Sequence, residues 1–224
     1  MPRRPVLPRN YDLLVFDWDG TLMDSAAVIV ASLQAACRDL NLPVPDEEQA
    51  RFIIGLGLQD AMAHVLPGLD PVQYPRVAER YRVHYLQRDA DTALFAGVAE
   101  TIAALHAAGF LLAVATGKGR RGLERALTAT GLKPYFHATR CADEGHPKPH
   151  PGMLQGLIEE LGAACDRTLM IGDTTHDMEM ARAAGVTPLA AAYGAHPREA
   201  LIAYAPVACV DDVSELRQWL LRNA

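Results

Sequence analysis

The feature that most constrains this chain is a set of short, nearly continuous apolar runs at residues 11–16, 110–115, 168–171 and 186–191, with a weaker one at 207–210. Amphipathic stretches at 98–108, 122–129, 151–161 and 177–184 lie between or beside them. A parallel sheet covered by helices on both faces reads this way, because its strands touch protein on either side and cannot alternate apolar with polar residues. Gly109, Gly131, Gly162 and Gly185 stand just past the helical stretches, where a left-handed residue ends a helix. The expected fold class is α/β, a doubly wound parallel sheet.

Residues 24–93 interrupt the alternation. They show no strand pattern, only helical segments punctuated by Pro43, Pro45, Gly55, Gly57, Pro67, Pro71 and Pro75. A strand-to-helix connection needs only a few residues, so the segment reads as an inserted small all-helical domain. The expected division is an α/β core of residues 1–23 and 94–224, a helical domain of residues 24–93, and a return linker at 95–97.

Composition excludes several classes. Half of the 224 residues are hydrophobic and 21% are charged, enough to bury a core and too apolar for a disordered chain. A net charge of -6 gives no basic footprint, so no nucleic-acid partner is expected. No apolar run approaches the ~18 residues of a membrane span. Residues 1–10 lack the apolar stretch of a secretory leader. Cys37, Cys141, Cys165 and Cys209 are widely spaced with no Cys-x-x-Cys pattern, which predicts reduced thiols and a cytoplasmic protein.

In open α/β sheets, ligands bind beyond the carboxyl ends of the strands. The first apolar run ends in Asp17, Trp18, Asp19, Gly20 and Thr21; the second runs into Thr116, Gly117 and Lys118; a third into Gly172, Asp173 and, four residues on, Asp177. Lys148 immediately precedes a helical stretch. Singly, each aspartate reads as a cap or turn residue, Thr116 as another cap, and Lys148 as a solvated charge. Together they set four carboxylates, a hydroxyl and an ammonium along one edge. Carboxylates so crowded raise each other's pKa unless a cation sits among them, and an all-oxygen set without Cys or His clustering favours a hard ion such as Mg²⁺.

These four segments, in this order and with a helical insertion after the first, resemble the motifs of the haloacid dehalogenase superfamily, in the helically capped subfamily that includes phosphoglycolate phosphatases. The resemblance covers nearly the whole chain and implies that residues 24–93 form a cap over the core. It implies that Asp17 is the nucleophile, forming an aspartyl-phosphate, and that Asp19 protonates the leaving alcohol and then takes a proton from water. Gly20 and Thr21 would aim the two aspartates, with Trp18 covering the apolar side of the nucleophile. Thr116 and Lys148 would hold the phosphoryl oxygens, helped by backbone N–H groups around Trp18 and around Gly117 and Lys118. Asp17, the Asp19 carbonyl and Asp173 would ligate Mg²⁺, with Asp177 a ligand or a group behind the ligands.

The implied activity is hydrolysis of a small phosphorylated metabolite, with phosphoglycolate the leading substrate, by a monomer or homodimer. A sugar-phosphate mutase and a catalytically silent phospho-ligand or protein binder are the alternatives. The three lysines, Lys118, Lys133 and Lys148, all lie outside residues 24–93. That excludes a Schiff-base chemistry on the cap and weighs against the mutase.

Some positions depart from the family pattern. Gly117 stands where many relatives carry Asn or Ser, which removes a side-chain hydrogen bond, and Phe95-Ala96-Gly97 lacks a common middle proline. Arg51, Gly55 and Gly57 fall in a segment resembling the substrate-facing loop of capped relatives, although a solvated arginine and two turn glycines read equally well. Lys118, Arg120 and Arg121 form either a helix start with exposed cations or a rim attracting an anion. His64 and His84 read as surface or interface residues rather than acid/base groups, His146 and His150 as loop-shaping or substrate-touching residues rather than zinc ligands, and His176 as a capping residue.

Overall fold

The computed structural model describes residues 9–88 and 92–224; residues 1–8 and 89–91, which the expected domain division includes, lie outside the described residues. Six parallel strands form one sheet in the order β3-β2-β1-β4-β5-β6: β1 Leu13–Phe16, β2 Leu111–Thr116, β3 Ala138–Cys141, β4 Thr168–Gly172, β5 Thr187–Ala191 and β6 Cys209–Val210. Central β1 sets Phe16 opposite Val114 of β2 and Ile171 of β4.

Period-two alternation splits β1 between two cores. Leu14 and Phe16 pack with Leu112, Val114, Leu169 and Ile171 on one face, and Leu13 and Val15 with Ala113, Ala115 and Met170 on the other. All four β1 side chains are fully buried, each contributing about 1.5–3 kcal/mol over exposure. The first face is covered by α5 (Val98–Ala107), α6 (Arg120–Thr130) and α10 (Val213–Asn223), the second by α7 (Gly152–Leu161) and α8 (Thr175–Ala183). The short α9 (Arg198–Ile202) packs through Leu201 against Met178 and Ala190. Gly131 and Gly162 close α6 and α7 in the left-handed conformation that the sequence pattern implied.

The apolar-run criterion missed β3. Its central residues, Thr139 and Arg140, are polar and half-buried because an edge strand pairs on one side only, and Arg140 reaches out to Glu160.

Between β1 and β2 come α1 (Ala26–Asp39), α2 (Glu47–Phe52), α3 (Leu58–Val65) and α4 (Tyr74–Arg88). On α1 the buried residues Ile29, Val30, Leu33, Ala36 and Cys37 follow helical spacing. Val30, Leu33 and Cys37 join Ala50, Ile53, Met62, Val65 and Val77 in a cluster separate from the two sheet cores. The two chain crossings that link these helices to the sheet bond to one another: Asp24 N–H donates to Ala93 O (2.9 Å) and Phe95 N–H to Leu22 O (3.0 Å). Among the described residues no helix is long and apolar enough to cross a membrane.

Candidate active site

The sheet order reverses at β1, whose neighbours β2 and β4 connect in opposite directions, so the carboxyl end of β1 is the topological switch point. Asp17 follows β1 there, Thr116 ends β2, and Asp173 follows β4. The Asp17 N–H donates to Ile171 O at 2.9 Å, which extends the β1–β4 ladder into the site.

Lys148, from the turn before α7, reaches this point with no exposed surface, and its Nζ lies 2.8 Å from Asp17 Oδ1 and 2.6 Å from Asp177 Oδ1. Trp18 N–H also donates to Asp17 Oδ1, at 2.6 Å. Asp17 Oδ2 is buried and has no hydrogen-bond partner among the described residues. Burial holds the Asp17 carboxyl well above the usual carboxylate range; Lys148 opposes the shift and the Asp177 charge adds to it. Burial also raises Asp173, and the charges of Asp17 and Asp177 push it further, against hydrogen bonds from Thr21 Oγ1 (2.6 Å) and Ala195 N–H (2.7 Å). Burial alone would lower the Lys148 pKa, but the two aspartates outweigh it and raise it.

Oxygens of Asp17, Asp173 and Asp177 lie within 4.8 Å of one another. One ammonium is paired with two of three buried carboxylates, and Asp17 Oδ2 has no donor among the described residues. A divalent cation relieves both, and an all-oxygen set suits Mg²⁺. The residues present therefore fit such an ion. Asp177 is also tied elsewhere: its Oδ2 accepts from Thr174 N–H (3.1 Å) and Thr174 Oγ1 (2.7 Å), in a capping box at the start of α8.

The backbone after Asp17 turns sharply. Gly20 has φ +86°, and a Cβ there would fall 2.1 Å from Asp173 Oδ2, so this position needs glycine twice over. The turn places the Asp19 carboxylate against Ser25 Oγ (2.8 Å from Oδ1) and Lys118 Nζ (3.0 and 2.9 Å from Oδ1 and Oδ2). Lys118 also lies 3.2 Å from Tyr85 Oη and over the Tyr85 ring of α4. Thr116 is buried, and its Oγ1 accepts from Lys118 N–H at 3.1 Å.

Asp17, Asp19, Gly20, Thr21, Thr116, Gly117, Lys118, Lys148, Asp173 and Asp177 are thus brought together. Trp18 contributes its backbone N–H, while its indole is buried in the sheet core. Arg51 is not brought to the carboxylates: its guanidinium runs along α2 to Glu47 at 3.0 Å. The basic cluster divides, with Lys118 turned inward, Arg120 bonded to Glu144 and Thr139, and Arg121 exposed. The His146 and His150 rings lie 4.3 Å apart, tilted by 33°, and His150 Nδ1 accepts from Gly152 N–H at 3.1 Å.

His176 is not a cap, because Thr174 fills that position. Its Nε2 instead bonds the Phe52 carbonyl of α2, at 2.7 Å. His196, which the sequence reading did not single out, approaches the same carbonyl at 3.0 Å. Ser25, Tyr85 and the Ala195 N–H were also missed. Ser25 and Ala195 meet their aspartates through folded loops rather than a motif, and Gly194 beside Ala195 was the one available signal: a Cβ there would fall 2.3 Å from Asp173.

Comparison with known proteins identifies the family. The sequence profile of the family "Haloacid dehalogenase-like hydrolase" matches residues 14–191. A "Probable phosphatase IndB" of Dickeya dadantii (strain 3937) is 38% identical over 211 residues, covering 91% of each chain. A "Phosphoglycolate phosphatase" of Colwellia psychrerythraea (strain 34H) is 29% identical over 214 residues, covering 92% of this chain and 95% of its own. The crystal structure of a predicted phosphoglycolate phosphatase from Haemophilus somnus 129pt superposes with a TM-score of 0.82 at 26% identity, covering 93% and 97% of the two chains. With the profile spanning most of the chain and the motif aspartates gathered at the switch point of the sheet, this protein belongs to the haloacid dehalogenase-like hydrolase family and shares its phosphatase branch.

Proposed function

We propose that the protein is a Mg²⁺-dependent phosphomonoesterase acting on a small phosphorylated metabolite, with phosphoglycolate the first substrate to test. The observation that carries this reading is the buried, partnerless Asp17 Oδ2 beside Lys148 and two further carboxylates. In this reading residues 24–93 are a cap domain on a core of residues 1–23 and 94–224. The protein is a cytoplasmic monomer or homodimer; its four free cysteines agree with a reducing compartment.

Asp17 attacks phosphorus in line, its carboxylate held in place by Trp18 N–H and Lys148. Thr116 and Lys148 hold the phosphoryl oxygens, with the N–H groups of Gly117 and Lys118 beside them. Asp19, held by Ser25 and Lys118, gives a proton to the leaving oxygen and later takes one from the water that opens the aspartyl-phosphate. Thr21 and Ala195 N–H orient Asp173. Mg²⁺, held by Asp17, Asp173 and the Asp19 carbonyl with Asp177 behind them, would neutralise charge on the phosphoryl group. The absence of any lysine from residues 24–93 favours hydrolysis over a mutase.

The test is phosphate release from phosphoglycolate, p-nitrophenyl phosphate and inorganic pyrophosphate, with Mg²⁺ or excess chelator, by the wild type and Asp17→Asn. Metal-dependent release that vanishes in the variant is expected. Release by Asp17→Asn at a wild-type rate would overturn the assignment.

A further inference from the structure

The loop after α2 meets the core through backbone rather than side chains. A Cβ on Gly117 would lie 2.5 Å from Gly55 O, 2.6 Å from Gly55 C and 2.8 Å from Gly55 Cα. A Cβ on Gly57 would lie 2.7 Å from both Cβ and Cγ of Pro147. Real Cβ atoms do not come so close to other heavy atoms, whether the Gly55 backbone or the stiff Pro147 ring, so the loop rests where it does because positions 117 and 57 have no side chain.

This loop lies directly over the nucleophile. A Cβ on Gly55 would stand 3.4 Å from Thr174 Oγ1 and 4.0 Å from Asp17 Oδ2, and Asp17 is 1% exposed. The start of the loop is pinned independently. His196 Nδ1 accepts from Thr175 N–H at 3.1 Å, so its proton sits on Nε2 and is donated to Phe52 O. His176 Nε2 meets the same oxygen, and the Phe52 ring stacks on His64 at 4.4 Å and on His196 at 5.4 Å. The histidines thus fix where the loop begins, and the Gly55–Gly117 contact fixes how far it descends.

In-line displacement sends the leaving group away from Asp17, toward the loop that covers it. We propose that Gly117, together with Gly55 above it, is a specificity-determining residue: its missing side chain lets the loop close down to backbone contact and restricts turnover to phosphate monoesters with a short leaving group. The inference rests on the phosphomonoesterase reading and deepens it by naming the substrate class and the residue that sets it.

Gly117→Ala and Gly57→Ala test it from the two ends of the loop. Neither position has a left-handed φ, so alanine meets its neighbours without backbone strain of its own. The readouts are the ratio of kcat/KM for phosphoglycolate to that for p-nitrophenyl phosphate, and hydrogen exchange across residues 53–57 in the substrate-free protein. Both variants are expected to lower the ratio by about tenfold or more and to speed exchange in the loop, with Tm retained.

An unchanged ratio, or a parallel fall for both substrates, overturns the size restriction. A lowered ratio without faster exchange overturns the loop as its agent. Wild-type protein that releases phosphate from no ester overturns the functional reading instead, and unchanged exchange in both variants would then dispose of the contact as well.

Discussion

Lys148 Nζ stands 2.8 Å from Asp17 Oδ1, and its second ion-pair partner, Asp177, is as deeply buried. One ammonium therefore balances two carboxylates in a region without solvent. Lys148→Met removes that charge and leaves both aspartates uncompensated, at an expected cost of about 3–5 kcal/mol. Urea unfolding of the metal-free protein at pH 8 measures the loss. A change below about 1 kcal/mol would show that the pair is not what holds the carboxylates in place.

Asp17→Asn is expected to separate stability from activity. The amide gives the partnerless Oδ2 position an N–H group, and it removes one of three crowded charges. The folded pKa of Asp17 lies above its unfolded value, so its penalty is fully present at high pH. The penalty shrinks as pH falls through the folded value and is gone below 3.8. Metal-free Asp17→Asn should thus be about 1–2 kcal/mol more stable than wild type at pH 8 and no more stable near pH 3. Millimolar Mg²⁺ should reverse the order at pH 8 by stabilising the wild type alone, and a thermal melt with and without the ion reads this directly.

Ser25 shares Asp19 with Lys118, and this pair holds the proposed acid in its position. Ser25→Ala deletes one hydrogen bond to a carboxylate and should lower kcat about tenfold with little change in KM. Loss confined to KM would show that Ser25 serves substrate binding instead.

His196 supplies a prediction about pH and stability. Burial, then the neighbouring His176, pushes its pKa down to about 4 from 6.5. Between those values the unfolded chain binds a proton that the folded protein does not, so stability present above pH 6.5 is lost as pH falls toward 4. The slope from this one group is at most about 1.4 kcal/mol per pH unit. His196→Gln should flatten the curve of unfolding free energy between pH 7 and pH 5. Parallel curves for variant and wild type would show that the buried imidazole titrates normally.

The acidic edge was legible in the sequence because three of the four motif segments sit at strand ends, Lys148 alone coming from the turn before α7. Asp17, Thr116 and Asp173 had to share an edge once β1, β2 and β4 were parallel. Their strands announced themselves through apolar runs buried on both faces, whereas β3, buried on one side, left no such trace in Ala138–Cys141. Arg51 is a residue whose two readings the sequence left open. Its place in the loop-bearing segment suggested a substrate contact, but a glutamate one helical turn away takes the guanidinium.

The sequence by itself determined the parallel α/β core, the helical insertion and the acidic edge, since hydrophobic periodicity and glycine placement are local properties of the chain. Only the tertiary structure decided that Lys118 turns inward to Asp19, that His176 and His196 share the Phe52 carbonyl, and that Gly55 settles on Gly117. Each of these joins residues tens of positions apart across the seam between the inserted helices and the sheet. How those two parts seat is fixed by packing and hydrogen-bond satisfaction at the seam, which no local pattern encodes.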